Sequence, residues 1–338
     1  LSVLADASPP LSGSIRWLGS GLALLLAFAA AAAWLWWQPD ARFVVASPLL
    51  TTRVEGDAFP KRLVDPIGRE LVIAEPPRRI ASAVLAGDEM LAALVAPERV
   101  VSVTFYADNP SISAAAGAFP AGIYRNHGQV EELLARQPDL AVVAGYSNAA
   151  TVRLLLRSGI AVVRLAKADS FSAIGSAIRT LGAALGEPGR AEALVAQMDA
   201  RIDAVRLRVT GLTAPRVLYY ALGGFTAGEG SLVDEMITLA GGHNVVRDAG
   251  VSAHGRISAE LAIALQPDVL LVSGWQAGQA PAAALLARQP VWRQLPAIRD
   301  GRVHAVRGAW LSSVSQDSVR GVEVIASLLH PDALNGSN

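Results

Sequence analysis

The 338 residues carry 29 basic and 29 acidic side chains, a formal net charge of zero, and 52% of them are hydrophobic. Balanced charge without a basic stripe argues against nucleic acid as a partner, and the length suits about two domains with sizeable cores. The sequence contains no cysteine, which excludes disulfides, thiolate metal sites, cysteine nucleophiles and lipid attachment through a cysteine.

Taken in order, residues 1–15 form a short polar tail. Residues 17–37 contain no charged side chain and carry Trp17, Trp34, Trp36 and Trp37 near their ends, where interfacial aromatics belong. They read as an uncleaved membrane anchor in preference to a signal peptide, although Ala29 to Ala33 offer small-residue cleavage sites. Arg16 and Arg42 flank the segment evenly and leave its orientation open. The expected organisation is a tail and anchor at 1–40, a linker at 41–60, a first lobe at 61–187, a bridging helix at 188–212 and a second lobe at 213–338.

A hairpin is expected over 62–73, turning at Asp65-Pro66-Ile67-Gly68. Strand and helix patterns then alternate: strands at 80–85, 100–105, 140–144 and 160–165, and helices at 88–94, 129–136, 149–157 and 171–185. Ala191, Leu194, Met198, Ile202, Val205 and Val209 recur every three or four residues, which predicts one long amphipathic helix from Pro188 to Gly211. Pro188 suits its first turn, and Gly211 can take the left-handed conformation that closes it. The second half repeats the scheme, with strands near 217–221, 269–272 and 303–306 and helices near 232–240, 259–265, 282–295 and 316–329. Such alternation predicts an α/β fold: two Rossmann-like lobes with parallel sheets, joined by one long helix, behind an N-terminal transmembrane helix.

One motif occurs in each half. Glu131, Gln137-Pro138-Asp139, a buried-type strand and Gly145-Tyr146 match Glu260, Gln266-Pro267-Asp268, a second such strand and Gly274-Trp275 at equal offsets. Proline stops a helix and aspartate tolerates the turn, which accounts for the Pro-Asp pairs. It does not require a glutamate at the same distance upstream each time. Two lobes facing each other place a ligand site at the carboxyl ends of their strands.

Other chemistry is weaker. Gly145-Tyr146-Ser147-Asn148 lies between a strand and a helix, where a hydrolase nucleophile elbow would put Ser147; a polar helix cap is the simpler reading. Gly228-Glu229-Gly230 resembles a phosphate-cradling turn, but Glu229 repels an anion. His127, His243, His254, His304 and His330 form no close pair at metal-ligand spacing. His127 and His254 each stand shortly before a repeated glutamate and could face the cleft.

Pro76-Pro77-Arg78-Arg79-Ile80-Ala81-Ser82, Tyr106-Ala107-Asp108-Asn109-Pro110, the two Glu/Gln-Pro-Asp motifs and the run from Gly228-Glu229-Gly230-Ser231 to Asn244-Val245 together resemble the class III substrate-binding proteins of ABC importers, receptors for cobalamin, haem and iron–siderophore complexes. The resemblance extends over roughly residues 62–329. It implies two lobes on a rigid helix with little hinge closure. It also implies an extracytoplasmic, monomeric receptor that captures a metal chelate and delivers it to a two-fold symmetric permease with its ATPase. No resident cofactor or metal site is implied, since cobalt or iron belongs to the cargo. Expected ligand contacts are Tyr106, Tyr124, Tyr146, Phe225 and Trp275. Tyr106-Ala107-Asp108-Asn109-Pro110 resembles the cobalamin branch, and Tyr124 stands where haem-binding relatives carry an iron-ligating tyrosine. Glu131 and Glu260 match the glutamates that engage permease arginines. The alternative from another class is a membrane-anchored α/β hydrolase using Ser147.

Overall fold

A computed structural model describes residues 52–65, 68–221, 223–273, 286, 288 and 290–335. The anchor expected at residues 17–37, most of the 41–60 linker and Trp275 lie outside them. Among the described residues, no helix is long and apolar enough to cross a membrane.

The expected hairpin is present as β2 (Lys61–Val64) and β3 (Glu70–Ile73), but β1 (Arg53–Glu55) adds a third antiparallel strand inside the stretch read as linker. Three residues alternating Arg-Val-Glu give no periodic signal. Cross-strand charge supports the pairing instead: Arg62 on β2 pairs with Glu55 on β1 and, at 2.9 Å, with Glu70 on β3.

A five-stranded sheet follows, built from β4 (Ile80–Ser82), β5 (Val100–Thr104), β6 (Tyr124–Asn126), β7 (Leu140–Ala144) and β8 (Ala161–Leu165). Its order is β6-β5-β4-β7-β8, and every pairing is parallel. The interior strand β7, Leu-Ala-Val-Val-Ala, is buried along its whole length, as a strand covered on both faces must be. The second half contributes β9 (Arg216–Tyr220), β10 (Phe225–Ala227), β11 (His243–Asn244), β12 (His254–Arg256), β13 (Val269–Ser273) and β14 (Val303–Val306). Four of these form a parallel sheet in the order β11-β9-β13-β14, while β10 and β12 pair as an antiparallel ribbon.

Between the two sheets in sequence runs the helix Pro188–Val209, which buries Ala191, Val195, Met198, Ile202, Val205 and Val209. Gly211 takes the left-handed conformation just past its end, with φ at 82°. The helix packs on Phe171–Leu185 from the first half and on Leu232–Leu239 and Val319–Leu329 from the second. Glycine is required at the closest approach, because a Cβ on Gly182 would lie 2.4 Å from that of Ala191. On the opposite side Arg201 makes a two-pronged ion pair with Glu323, at 2.8 and 2.7 Å. Leu91, Met198, Met236 and Val322 belong to one continuous apolar core.

Several boundaries differ from expectation. The helix expected over 129–136 is only Val130–Leu134, because Arg79 caps the carbonyls of Arg136 and Gln137 and Gln137 turns left-handed. Of the helix expected over 282–295, Pro290–Gln294 is a 3₁₀ turn opened by its proline. The last long helix begins at Val319, after a separate 3₁₀ turn at Gln316–Ser318.

Candidate ligand cleft and docking face

A parallel sheet gathers its post-strand loops on one edge. Beyond β5 come Phe105 and Tyr106, beyond β6 His127, and beyond β7 Tyr146. The Phe105 and Tyr106 ring centroids are 3.9 Å apart, and His127 stacks on Phe105 at 4.8 Å and 24°. Phe225 opens the β10–β12 ribbon after β9, with the Arg256 guanidinium 4.7 Å over its ring. Tyr146 is 78% exposed and Phe225 53%, so neither ring is explained by core packing. Arg125 grips Asp108 through two bonds of 2.8 and 2.9 Å, which ties the Tyr106 loop to β6 and holds the Asp108 carboxyl below the usual carboxylate range.

Tyr124 is placed differently from the other expected contacts. It opens β6 instead of following a strand, its hydroxyl lies 3.3 Å from Glu132, and Arg136 stacks 4.5 Å over its ring. The Tyr106 loop meets the second lobe where the amide of Ala309 donates to the Ser111 carbonyl at 2.9 Å.

Two glutamates cross between the halves reciprocally. Glu89 accepts hydrogen bonds from Ser313, from Ser315 at 2.5 Å and from the Ala114 amide at 2.8 Å. Glu235 accepts from the Phe171 amide at 2.8 Å, at the start of helix Phe171–Leu185. Burial pushes both carboxyls upward. Both belong to an Asp-Glu-Met triplet, Asp88-Glu89-Met90 and Asp234-Glu235-Met236, a repeat that was readable in the sequence and passed over there. The aspartates also correspond: Asp88 accepts from the Thr104 amide and hydroxyl, and Asp234 from Asn244 and Arg247.

The Gln-Pro-Asp repeat is a structural device. Gln137 and Gln266 both turn left-handed, with φ of 48° and 44°. Asp139 accepts the Arg78 and Arg79 amides ahead of β4, and Asp268 accepts the Arg216 amide at the start of β9. Arg79 and Arg216 also bond carbonyls at the ends of the helices that lead into each Pro-Asp turn. Neither repeated glutamate takes part in this. Glu131 and Glu260 are each the second residue of a short helix, Val130–Leu134 and Ala259–Ala264, and both are exposed with no ion pair among the described residues. Ser258 draws the Glu260 carboxyl below its usual range. Glu132 and Glu235 are engaged elsewhere, by the amides of His127 and Phe171.

The Ser147 hydroxyl accepts the Ala144 amide at 3.0 Å and Asn148 caps the helix Ala149–Arg157, the local roles that a polar helix start calls for. The amides of Gly228 and Glu229 are taken by the carbonyls of Ala253 and Val251, and that of Ser231 by the Gly228 carbonyl, so they are not turned to a phosphate. His243 pairs with Asp248 at 2.9 Å, and His330 is buried near Gly241. Burial lowers His304, and His254 is exposed on β12. Among the described residues, no three His, Asp or Glu side chains stand together as a metal site.

Residues 80–308 match the family model for periplasmic binding proteins. A cobalamin-binding protein of Halobacterium salinarum is 32% identical over 204 residues, a match that takes in 59% of this chain and 54%, about half, of the relative's length. An ABC transporter substrate-binding lipoprotein of Bacillus subtilis, itself uncharacterized, is 21% identical over 82% of this chain and 87% of its own. Among solved structures, the apo periplasmic haem-binding protein of Roseiflexus sp. RS-1 superposes with a TM-score of 0.66 at 29% identity, over 76% of this chain and 99% of that one. With more than half of its residues inside the family model and two parallel sheets flanking one long helix, this chain belongs to the periplasmic binding protein family.

Proposed function

We propose that the chain is the extracytoplasmic receptor of an ABC importer, that it carries a planar metal chelate, a corrinoid first and haem or another iron chelate next, and that it does no chemistry on its cargo. The observation that carries this reading is the exposed aromatic surface on the strand ends of both sheets: Tyr106 and Tyr146 on one, Phe225 on the other. Broad rings with polar tips suit a large, flat, partly apolar ligand. Trp275, outside the described residues, remains an expected ligand contact on its place in the sequence alone. Tyr124 is left to the Glu132–Arg136 network. The names of the Halobacterium and Roseiflexus relatives, one cobalamin-binding and one haem-binding, support a metal macrocycle as cargo.

Glu131 and Glu260 dock the receptor on the permease, and residues 17–37 tether it to the membrane. A ligand that binds only the native state stabilises it by about 2.7 kcal/mol at roughly 100 times its Kd. Cobalamin or haem is therefore expected to raise the melting temperature saturably, and Tyr106→Ala with Phe225→Ala to remove most of that shift. A melting temperature indifferent to both macrocycles, or a shift unchanged in the double variant, contradicts the assignment.

A further inference from the structure

We infer that His127 is an axial ligand for the metal of the cargo, an inference that rests on the metal-chelate reading above. Glu132 accepts the His127 amide at 2.6 Å and lies 3.2 Å from its Nδ1. With a carboxylate oxygen facing it at that distance, Nδ1 is the ring nitrogen that holds the imidazole proton. Nε2 is left as a bare lone pair, and it has no hydrogen-bond partner among the described residues. Stacking on Phe105 at 4.8 Å fixes the plane of the ring, while the side chain stays 60% exposed. A carboxylate behind one ring nitrogen and an open position at the other is how proteins present a metal-binding imidazole.

Capping the helix Val130–Leu134 is the competing explanation, but a cap needs only the His127 amide. It uses neither the ring, nor the stack, nor Nε2. The placement also agrees: His127 follows β6, beside the Phe105–Tyr106 pair whose loop meets the other lobe at Ser111 and Ala309.

The arrangement restricts the cargo. One imidazole cannot hold a bare ion, and no cluster of three ligating side chains occurs among the described residues. The metal must arrive with its equatorial ligands in place and an exchangeable axial position, as in ferric haem or aquacobalamin. A chelate whose metal is fully enclosed would gain nothing from His127.

The test titrates the full chain with ferric haem and aquacobalamin, using metal-free protoporphyrin and cyanocobalamin as controls, and follows the visible spectrum. Wild-type protein is expected to move at least one metal probe to the spectrum of an imidazole-ligated species. His127→Ala should abolish that change and weaken binding about tenfold or more, and Glu132→Gln should weaken it while keeping the spectrum. Added imidazole should restore the spectrum in His127→Gly, which separates ligation from packing. Wild-type binding without a spectral change, or a change that survives in His127→Ala, overturns the assignment and leaves the receptor reading standing. If no macrocycle binds the wild-type protein, the metal-chelate reading fails and this assignment fails with it.

Discussion

Asp88 has no exposed surface, and its carboxyl faces the amide and hydroxyl of Thr104 at the end of β5. Burial pushes its pKa from 3.8 up to about 8, against those hydrogen bonds. The sign follows directly. A carboxyl that binds its proton more tightly folded than unfolded stabilises the native state below the unfolded value, and that stability is lost as pH rises through the folded one. Between about pH 4 and pH 8 Asp88 therefore costs stability with every increment of pH. Asp88→Asn, permanently neutral, should flatten the fall of the urea midpoint between pH 5 and pH 9, with most of the difference at the alkaline end. Parallel pH profiles for the two proteins would show that Asp88 titrates normally.

At the level of elements, the strongest joints between the halves are side-chain bonds between residues far apart in sequence. Glu89 is 1% exposed and satisfies the hydroxyls of Ser313 and Ser315. Removing the shared acceptor of such a buried hydrogen-bond network costs about 3 kcal/mol, since the donors are left unpaired. Glu89→Ala should lower unfolding stability by that amount and speed amide exchange in the Gln316–Ser318 turn before it does so in β7. A loss under about 1 kcal/mol, the scale of a surface substitution, would remove the joint from the account.

The strands Leu140–Ala144 and Ala161–Leu165 and the helices Ala149–Arg157 and Phe171–Leu185 fall where apolar periodicity and their Pro-Asp, Gly and Ser boundaries put them. The strands Arg53–Glu55 and Tyr124–Asn126 are too short and too charged to carry a period, and their partners supply the reason they exist. Of the expected site residues, Tyr106, Tyr146 and Phe225 lie on strand-end loops or the ribbon that follows, whereas Tyr124 lies within a strand, a position fixed by the pairing of Ser102 with Tyr124. The link from Glu89 to Ser313 was invisible because no local pattern spans that separation; the Asp-Glu-Met repeat marked the two acceptors, Glu89 and Glu235, and not their partners.

For the molecule as a whole, each half presents one exposed glutamate with no ion pair among the described residues, at the same step of matching helices. A carboxylate in a first turn gains only about 0.3 to 1 kcal/mol from the helix dipole. That is a weak reason for keeping two of them exposed in register. Paired with arginines of a two-fold symmetric permease, they would fix orientation as well as affinity. Glu131→Arg with Glu260→Arg should therefore abolish uptake in cells while leaving the melting temperature and macrocycle affinity within error of wild type. Normal uptake by the double variant would remove these residues from the docking face. The most direct measurement of the central claim is the visible absorption spectrum of the protein isolated from its native host, grown with cobalamin and haem supplied. A receptor for a metal macrocycle should come off the column carrying a corrinoid or haem band that is released on denaturation, whereas a colourless protein from such cells would contradict the account.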